Sequence, residues 1–331
     1  MSLPFLSIVI PVRNEEKHIA GVLEQIYSQD YPPDKLEVLV IDGKSNDGTR
    51  ETVGDFAKRH HSLRLLDNPK ILSSAARNLG VQEAKGDMVV YIDGHCQLPD
   101  QKLLKNIVFC LEKSGADCLG RSQPLIPGAR IMTQAITLAR TSALGHNPAS
   151  YIYSDYEGLI DPTSCGAIYK KEVFQKVGFF DENFDACEDV EFNLRVKQAG
   201  LKCYLSPKLA VNYYPRESLK ALFQQMFRYG RGRYNLFSKH PRTWSLFTVL
   251  PGLYLFLLLF IILLSGTNPS LLNFLVFALL LYLGPVLFFS IWLALKKGLR
   301  YFPLFLLIFP AIHFGISLGF WSALFSSHKR K

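Results

Sequence analysis

Two acidic residues in this sequence stand where apolar runs end, and one of them has an imidazole close by. Asp42 closes the run LEVLVID, and Asp93 closes the run MVVYID. His95 follows Asp93 at a distance of two residues. A carboxylate and an imidazole this close can share a divalent cation whose remaining ligands are water and phosphate oxygens. The pair indicates a metal and diphosphate site, although an Asp–Gly pair at the end of a strand is commonly only a turn.

Asp42 opens a turn that carries a second acid, Asp47. A carboxylate at this place suits a ribose or a base edge, and the alternative is an Asx turn in which it only caps the backbone. The turn contains Gly43-Lys-Ser, but Val38 stands where a P-loop requires glycine. No GxGxxG follows a strand either, so a dinucleotide is not predicted.

Three acids crowd one predicted helix start: Glu188, Asp189 and Glu191. Acidic side chains stabilise the first turn of a helix by capping its free N–H groups. A carboxylate at that place that points into a cleft could instead serve as a general base on a hydroxyl group. Both roles are open from the sequence.

A fourth segment, QMFRYGRGR at 225–233, combines three arginines with glycines just before a long apolar stretch. Arginines can hold phosphate groups by paired hydrogen bonds. They can also serve as a positively charged anchor at the membrane surface. The segment 217–237 has apolar residues on one side, and we expect a helix that lies in the membrane interface or packs on the globular domain.

The elements that must position these groups alternate between strand and helix. Short β-branched runs at 5–12, 36–42 and 88–93 predict buried strands, and a predicted helix follows each of them. The first helix is expected to begin at Arg13 or Asn14. This alternation predicts an α/β fold with a mostly parallel sheet flanked by helices. Ligands bind beyond the carboxyl ends of such strands, where Asp42 and Asp93 lie.

The C-terminal third of the chain has the composition of a membrane domain. No charged residue occurs between Arg242 and Lys296, or between Arg300 and Lys329. Since about 20 apolar residues suffice to cross a bilayer, three spans are predicted, at 246–264, 271–295 and 301–325. We therefore divide the chain into a catalytic domain at 1–215, a basic amphipathic interface segment at 216–243 and a membrane domain at 244–331.

The distribution of basic residues predicts the orientation of an integral protein of the cell membrane. The positive-inside rule puts the catalytic domain and the 296–300 loop in the cytoplasm and the Gly266–Ser270 link outside. The same rule predicts that His328–Lys331 lies inside, but three full crossings would put it outside. Either the last span is a re-entrant hairpin broken near Pro310 and Gly315, or the terminal basic cluster is tolerated outside.

The net charge of +9 over 331 residues has two readings. Nucleic acid is one, but the sequence contains no helix-turn-helix, RNP or zinc-finger pattern. The other is a cytoplasmic membrane surface together with phosphate-bearing substrates. We favour the second and expect no nucleic-acid partner.

Taken in order, these segments resemble the blocks of the family-2 inverting glycosyltransferases with the GT-A fold. The resemblance covers roughly residues 5–235, and the later blocks look like the membrane-anchored subgroup typified by the succinoglycan glucosyltransferases. The matching blocks are SIVIPVRNEE (7–16), VLVIDGKSNDGT (38–49), AARNLGVQEAKGDMVVYIDGH (75–95), GFFDENFDACEDVEFNLRVKQAG (178–200) and QMFRY (225–229).

The resemblance implies a nucleotide-sugar donor, with a UDP-sugar favoured, a divalent metal (Mn²⁺ or Mg²⁺) and inversion at the anomeric carbon. It implies that Asp189 is the catalytic base and that Asp93 and His95 form the metal site. The donor-binding residues that it implies are Pro11, Val12, Arg13, Glu15, Asp42, Arg77 and Asp93. The residues implied for the diphosphate or the acceptor are Glu188, Gln225, Arg228 and Tyr229.

Two positions depart from the family pattern. The usual Asp–Asp pair is Asp42–Gly43, and the usual DxD is Asp93-Gly-His95. The first leaves fewer carboxylates for the ribose, and the second favours Mn²⁺ over Mg²⁺ because imidazole suits Mn²⁺ better.

The expected function is transfer of a sugar to a lipid-linked acceptor, in polysaccharide or glycolipid synthesis, since the site would lie beside a bilayer. A processive polysaccharide synthase subunit is the first alternative, although three spans are few for a channel. A catalytically inactive membrane scaffold is the second. The oligomeric state does not follow from the sequence.

Overall fold

The computed structural model describes residues 3–147, 150–265 and 271–327, and the chain forms two compact units. The first unit contains residues 3–126 and 150–214, and the second contains residues 127–147 and the described part of the chain from 215 onward. The predicted links at 266–270 and 328–331 lie outside the described residues.

The first unit is built on a mixed sheet whose order is β3-β2-β1-β4-β8-β6-β9-β7. The strands β1 to β4 pair in parallel, and antiparallel pairs join β4 to β8, β8 to β6 and β9 to β7. A separate two-stranded sheet pairs β10 with β5. The strands are β1 Leu6–Val12, β2 Leu36–Asp42, β3 Leu63–Asp67, β4 Met88–Tyr91, β5 Cys96–Gln97, β6 Cys118–Gly120, β7 Gly158–Ile160, β8 Gly166–Lys170, β9 Cys203–Leu205 and β10 Asn212–Tyr213.

Helices cover both faces of this sheet, which is why its central strands are apolar throughout. Successive residues of β1, such as Ile8 and Val9, enter two different buried clusters on opposite faces. The helices are α1 Ile19–Tyr27, α2 Thr49–Arg59, α3 Ser73–Glu83, α4 Leu103–Ser114, α5 Ile131–Arg140, α6 Lys171–Val177, α7 Glu188–Gln198, α8 Leu219–Lys239, α9 Leu246–Ser265, α10 Leu271–Lys297 and α11 Phe302–Ser327. The predicted fold class is therefore confirmed.

The start of the first helix was predicted wrongly. α1 begins at Ile19, because Asn14 has a left-handed backbone with φ of 57°. This conformation is incompatible with a right-handed helix and sends the chain across to the next loop. Glu15 and Glu16 therefore lie in a connection and not in a first helical turn.

The second unit contains α5 and the helices from α8 onward. Ser218 caps α8 by accepting a hydrogen bond from the N–H of Ala221. Three helices are long and apolar enough to cross a membrane, over 248–265, 273–297 and 299–326. The re-entrant hairpin does not occur, because α11 continues unbroken through Pro310 and Gly315.

Candidate active site at the carboxyl edge of the sheet

The loops that follow β1 and β2 are joined to each other by hydrogen bonds. The N–H of Asn14 donates to the hydroxyl of Ser45 at 2.9 Å, and the N–H of Asn46 returns a bond to the Asn14 side chain at 2.9 Å. The N–H of Glu15 donates to Thr49 Oγ1 at 2.7 Å. These bonds satisfy backbone groups that no sheet partner can reach, and they fix the shape of the edge where Pro11, Val12 and the exposed Arg13 stand.

The side chain of Asp42 has the capping role that the sequence left open. It is fully buried, accepts from the N–H of Ser45 at 3.1 Å, and lies 2.7 Å from the guanidinium of Arg50. Arg50 also reaches Asp67 at the end of β3. The carboxylate thus closes the turn after β2 and binds that turn to α2.

Arg77 lies between the two predicted acidic segments. Its guanidinium is 3.7 Å from Asp93 and 3.6 Å from Glu188, and it stacks 4.8 Å over the ring of Tyr91. Burial opposes the charge of Arg77, but Asp93, Glu188 and then Asp189 outweigh it and raise its pKa. Arg77 therefore brings the end of β4 and the start of α7 together.

The charges of the two acids respond differently to the same arginine. Burial disfavours the ionised form of Asp93, yet Arg77 and His95 together keep its pKa below the ordinary value. Burial dominates at Glu188 and raises its pKa in spite of Arg77. Asp93 is thus held as a carboxylate, while Glu188 is the more easily protonated of the pair.

His95 is oriented by Glu15. Its Nδ1 lies 2.9 Å from Oε1 of Glu15. Since a carboxylate only accepts, Nδ1 carries the proton, and the lone pair of a neutral ring is on Nε2. Gly94 permits this approach, because a Cβ there would lie 2.9 Å from Val12 and 3.1 Å from the Glu15 side chain.

The three acids at the start of α7 have separate environments. Glu188 is buried against Arg77, and Glu191 is fully buried in a fork with Arg195 at 2.9 Å. Asp189 is the exposed member, and its carboxylate accepts the N–H of Val190 at 2.9 Å. Of the three, Asp189 is the one that a substrate hydroxyl can approach.

The donor set at the end of β4 fits a divalent cation that keeps most of its shell for water and phosphate. Asp93 offers carboxylate oxygen, and His95 offers an imidazole held by a second carboxylate, as metal-binding histidines commonly are. Within residues 3–147, 150–265 and 271–327, no three His, Cys, Asp or Glu side chains converge on one point. These residues alone would therefore fill only part of a cation's shell.

The other predicted residues lie on α8 in the second unit. Arg140 donates to the side-chain oxygen of Gln225 at 3.3 Å, and Gln225 donates to the hydroxyl of Tyr229 at 3.4 Å. Arg228 and Tyr229 are exposed. Burial is the main cause that lowers the pKa of His146, to about 4. The positive charges of Arg140 and Arg233 lower it further.

Two residues of the first unit escaped the sequence analysis. The hydroxyl of Tyr213 donates a short hydrogen bond to Asp93, and its ring meets the ring of His95 edge-on at 5.8 Å. The buried Arg121 reaches the carbonyl of Tyr91 and contributes to the low pKa of Asp93. Both lie far from Asp93 in sequence and follow no motif, so the sequence offered no signal for them.

A doubly covered, largely parallel sheet with carboxylates gathered at its carboxyl edge is typical of an α/β enzyme. Glycosyl transferase family 2 matches residues 7–178, and Glycosyl transferase family group 2 matches residues 163–322. The chain belongs to Glycosyl transferase family 2, and it is a glycosyltransferase.

Relatives align over almost the whole chain. The succinoglycan biosynthesis protein ExoA of Rhizobium meliloti is 32% identical over 98% of this chain and 96% of its own length. A dolichyl N-acetyl-alpha-D-glucosaminyl phosphate 3-beta-D-2,3-diacetamido-2,3-dideoxy-beta-D-glucuronosyltransferase of Methanococcus voltae is 29% identical, with 97% of each chain covered. Homologues of this chain therefore act in polysaccharide and glycolipid synthesis.

Among solved structures, the mannosyltransferase PcManGT of Pyrobaculum calidifontis, in complex with GDP-Man and Mn²⁺, superposes with a TM-score of 0.63. It is 20% identical, and the match covers 98% of this chain and 88% of that one. At this identity the likeness establishes the GT-A-like fold.

Proposed function

We propose that this protein transfers a sugar from a nucleoside-diphosphate donor to a lipid-linked acceptor, with inversion at the anomeric carbon. The observation that carries the proposal is that the three acids at the start of α7 have different environments. Glu188 and Glu191 are bound to arginines, while Asp189 stays exposed beside them. A base needs access to the hydroxyl that it deprotonates, and Asp189 alone of the three has it.

The joined loops after β1 and β2 would hold the nucleoside. Pro11, Val12 and Arg13 form the floor and rim of this edge, and the interlocking bonds hold it in shape without a ligand. Asp42 would act through the turn that it closes, since both of its contacts are internal. A UDP-sugar is the donor we favour.

Asp93 and His95 would hold a Mn²⁺ or Mg²⁺ ion, which when bound supplies positive charge to the diphosphate leaving group. Glu15 would orient His95 toward that ion, and the structural neighbour in complex with GDP-Man and Mn²⁺ supports the proposal of a metal site. Arg77 would keep the Asp93 carboxylate ionised and in place.

Asp189 would take the proton from an acceptor hydroxyl as that oxygen forms a bond to C1 of the sugar. The bond from C1 to the diphosphate breaks on the opposite face, and its electron pair leaves with the nucleoside diphosphate. Displacement from the opposite face inverts the anomeric centre. A base of this kind typically contributes about 10²–10⁴-fold to the rate.

The charge of the second unit supports an anionic, membrane-bound acceptor. The sequence of residues 127–147 and 215–331 contains 15 lysines and arginines and one acid, Glu217. Gln225, Arg228, Tyr229 and the neighbouring Arg140 would receive the acceptor or its phosphate. The name of the Methanococcus voltae relative includes a dolichyl-linked sugar phosphate, which is an acceptor of this chemistry.

We further propose that the first unit lies in the cytoplasm and that the protein is integral to the cell membrane. The basic residues Lys296 and Lys297 at the end of α10 and Arg300 just after it support this orientation by the positive-inside rule.

The test is a screen of nucleotide-sugars with the purified protein, membrane lipid extract and Mn²⁺, with mass analysis of the lipid products. One donor should add a single sugar mass to a phosphate-bearing lipid, and EDTA should abolish the reaction. The variant His95→Asp should shift the preference from Mn²⁺ toward Mg²⁺. Full activity in EDTA would contradict the metal site, and absence of any transfer or donor hydrolysis would contradict the proposed function.

A further inference from the structure

The three apolar helices of the second unit differ in how much protein surrounds them. In the apolar windows of α9 and α10, 11% and 17% of the residues are buried, against 44% in α11. A helix in lipid exposes its apolar side chains, as α9 and α10 do, whereas protein covers nearly half of α11. Its neighbours therefore show the depth at which it lies.

One neighbour is α8, and the two backbones touch. A Cβ at Gly230 would lie 1.9 Å from the carbonyl oxygen of Ile316, and one at Gly319 would lie 2.0 Å from that of Phe227. Farther along α8, Tyr234 packs on Phe320 with ring centres 5.5 Å apart. Residues 315–320 of α11 therefore lie at the same depth as the middle of α8.

Helix α8 cannot lie in the hydrocarbon. Its basic residues Arg228, Arg231, Arg233 and Lys239 are all exposed. Charged side chains in the hydrocarbon face a protein interior or a water-filled cavity, because lipid cannot solvate them. A helix with this charge and an apolar opposite side is typical of the membrane interface.

The first half of α11 is also bordered by a helix that cannot span. Tyr301 donates to Gln134 of α5 at 2.7 Å, and His313 lies 2.9 Å from the carbonyl of Leu144, just beyond the end of α5. α5 has only ten residues, between Arg130 and Arg140, whereas a span needs about 20. Residues 301–313 therefore run alongside α5, a short helix with a charged residue at each end.

The second half of α11 enters beside the beginning of α9. Ser317 donates to the carbonyl of Thr248 at 2.7 Å, and Phe325 meets Phe256 with ring centres 6.4 Å apart. The two helices thus run in the same direction from the interface. The described part of α11 beyond Ser317 reaches only about 15 Å at 1.5 Å per residue, half of the roughly 30 Å hydrocarbon core.

We infer that α11 does not cross the membrane. The chain crosses twice, through α9 and α10, and α11 lies in one leaflet between these spans and the layer formed by α5 and α8. Because α11 ends without reaching the opposite face, the positive-inside rule assigns the basic residues that follow it to the side of the Lys296–Arg300 loop. The inference is independent of the donor and acceptor.

The test is the sidedness of the full-length protein in sealed vesicles of known orientation. A protease site is fused after Lys331, and single variants Lys297→Cys and Ser265→Cys, labelled with an impermeant maleimide, mark the two faces. The unsubstituted protein gives the labelling background of its native cysteines. Ser265 is the last residue of α9, and Lys297 is the last of α10.

The protease should cut the fused site from the face on which the Lys297→Cys variant is labelled, and from that face alone. Cutting from the face marked by the Ser265→Cys variant would overturn the inference. Protection from both faces, together with cutting in detergent, would overturn it as well.

Discussion

Arg77 faces one buried carboxylate, Glu188, and one partly exposed carboxylate, Asp93, so its removal should be costly. The variant Arg77→Met keeps most of the side-chain volume and removes the charge that faces Asp93 and Glu188 at 3.7 and 3.6 Å. Breaking a buried ion pair from one side costs about 3–5 kcal/mol, because the other charge stays buried. We expect about 3 kcal/mol, the lower end, since Asp93 keeps the hydroxyl of Tyr213.

The matched control is Arg64→Met in the same unit. Arg64 pairs with Glu83 on the surface, where the two side chains are 36% and 39% exposed. Such a pair contributes at most about 1 kcal/mol. With about 2–4 °C per kcal/mol for a unit of this size, the Arg77→Met variant should lose about 6–12 °C in Tm and the control only about 2–4 °C.

The pH dependence separates loss of charge pairing from loss of packing. Burial already raises the pKa of Glu188, and Arg77 is the group that lowers it, so the variant raises it further. The folded variant then favours a protonated Glu188 more than the unfolded chain does, and its stability falls as pH rises. Thermal scans of the detergent-solubilised protein should therefore show a larger loss of Tm at pH 8 than at pH 5. A loss equal to that of Arg64→Met, or one that does not change with pH, would refute the reasoning.

Three further predictions concern Glu15, Gly230 and His146. Glu15→Gln should weaken Mn²⁺ binding about 10–100-fold, because the side chain orients His95, and unchanged affinity in a calorimetric titration would contradict that role. Gly230→Ala should destabilise the protein by about 1–3 kcal/mol. The control Gly284→Ala in α10, where a Cβ meets nothing within 4 Å, should have little effect. Equal unfolding temperatures of these two variants would count against the close approach of α8 and α11. The pKa of His146 is lowered to about 4 in the folded protein. Below pH 6.5 the unfolded chain therefore binds a proton at His146 that the folded protein does not bind, and the stability should fall between pH 6.5 and pH 4. His146→Gln should reduce that slope in Tm measured against pH, and an unaltered slope would show that other groups cause it.

The sheet could be predicted where a strand is a long apolar run. β1 and β2 are seven residues each and are buried on both faces, so their composition alone identifies them. The strands β6, β7 and β9 are three residues each, too short to show a period. Their pairing is set by contacts far apart in sequence, which a local pattern cannot contain.

The candidate site divides in the same way. Asp93 and Asp189 could be found because each stands at a predictable strand or helix end. Their environments could not be predicted, because the groups that set them come from elsewhere in the chain. Tyr213 meets Asp93 from 120 residues away, and Arg77 joins Asp93 to Glu188 only in the folded unit.

The most direct test of the central claim is sugar transfer by Asp189→Asn beside Glu172→Gln. Glu172 is also an exposed acid in the first turn of a helix, so the control repeats the change of charge away from the site. The Asp189→Asn variant should fold, bind the donor with nearly unchanged affinity and lose at least about 10²-fold in transfer rate. The control should transfer at the normal rate. An Asp189→Asn variant that binds donor and transfers sugar near the normal rate would contradict the assignment of Asp189 as the base.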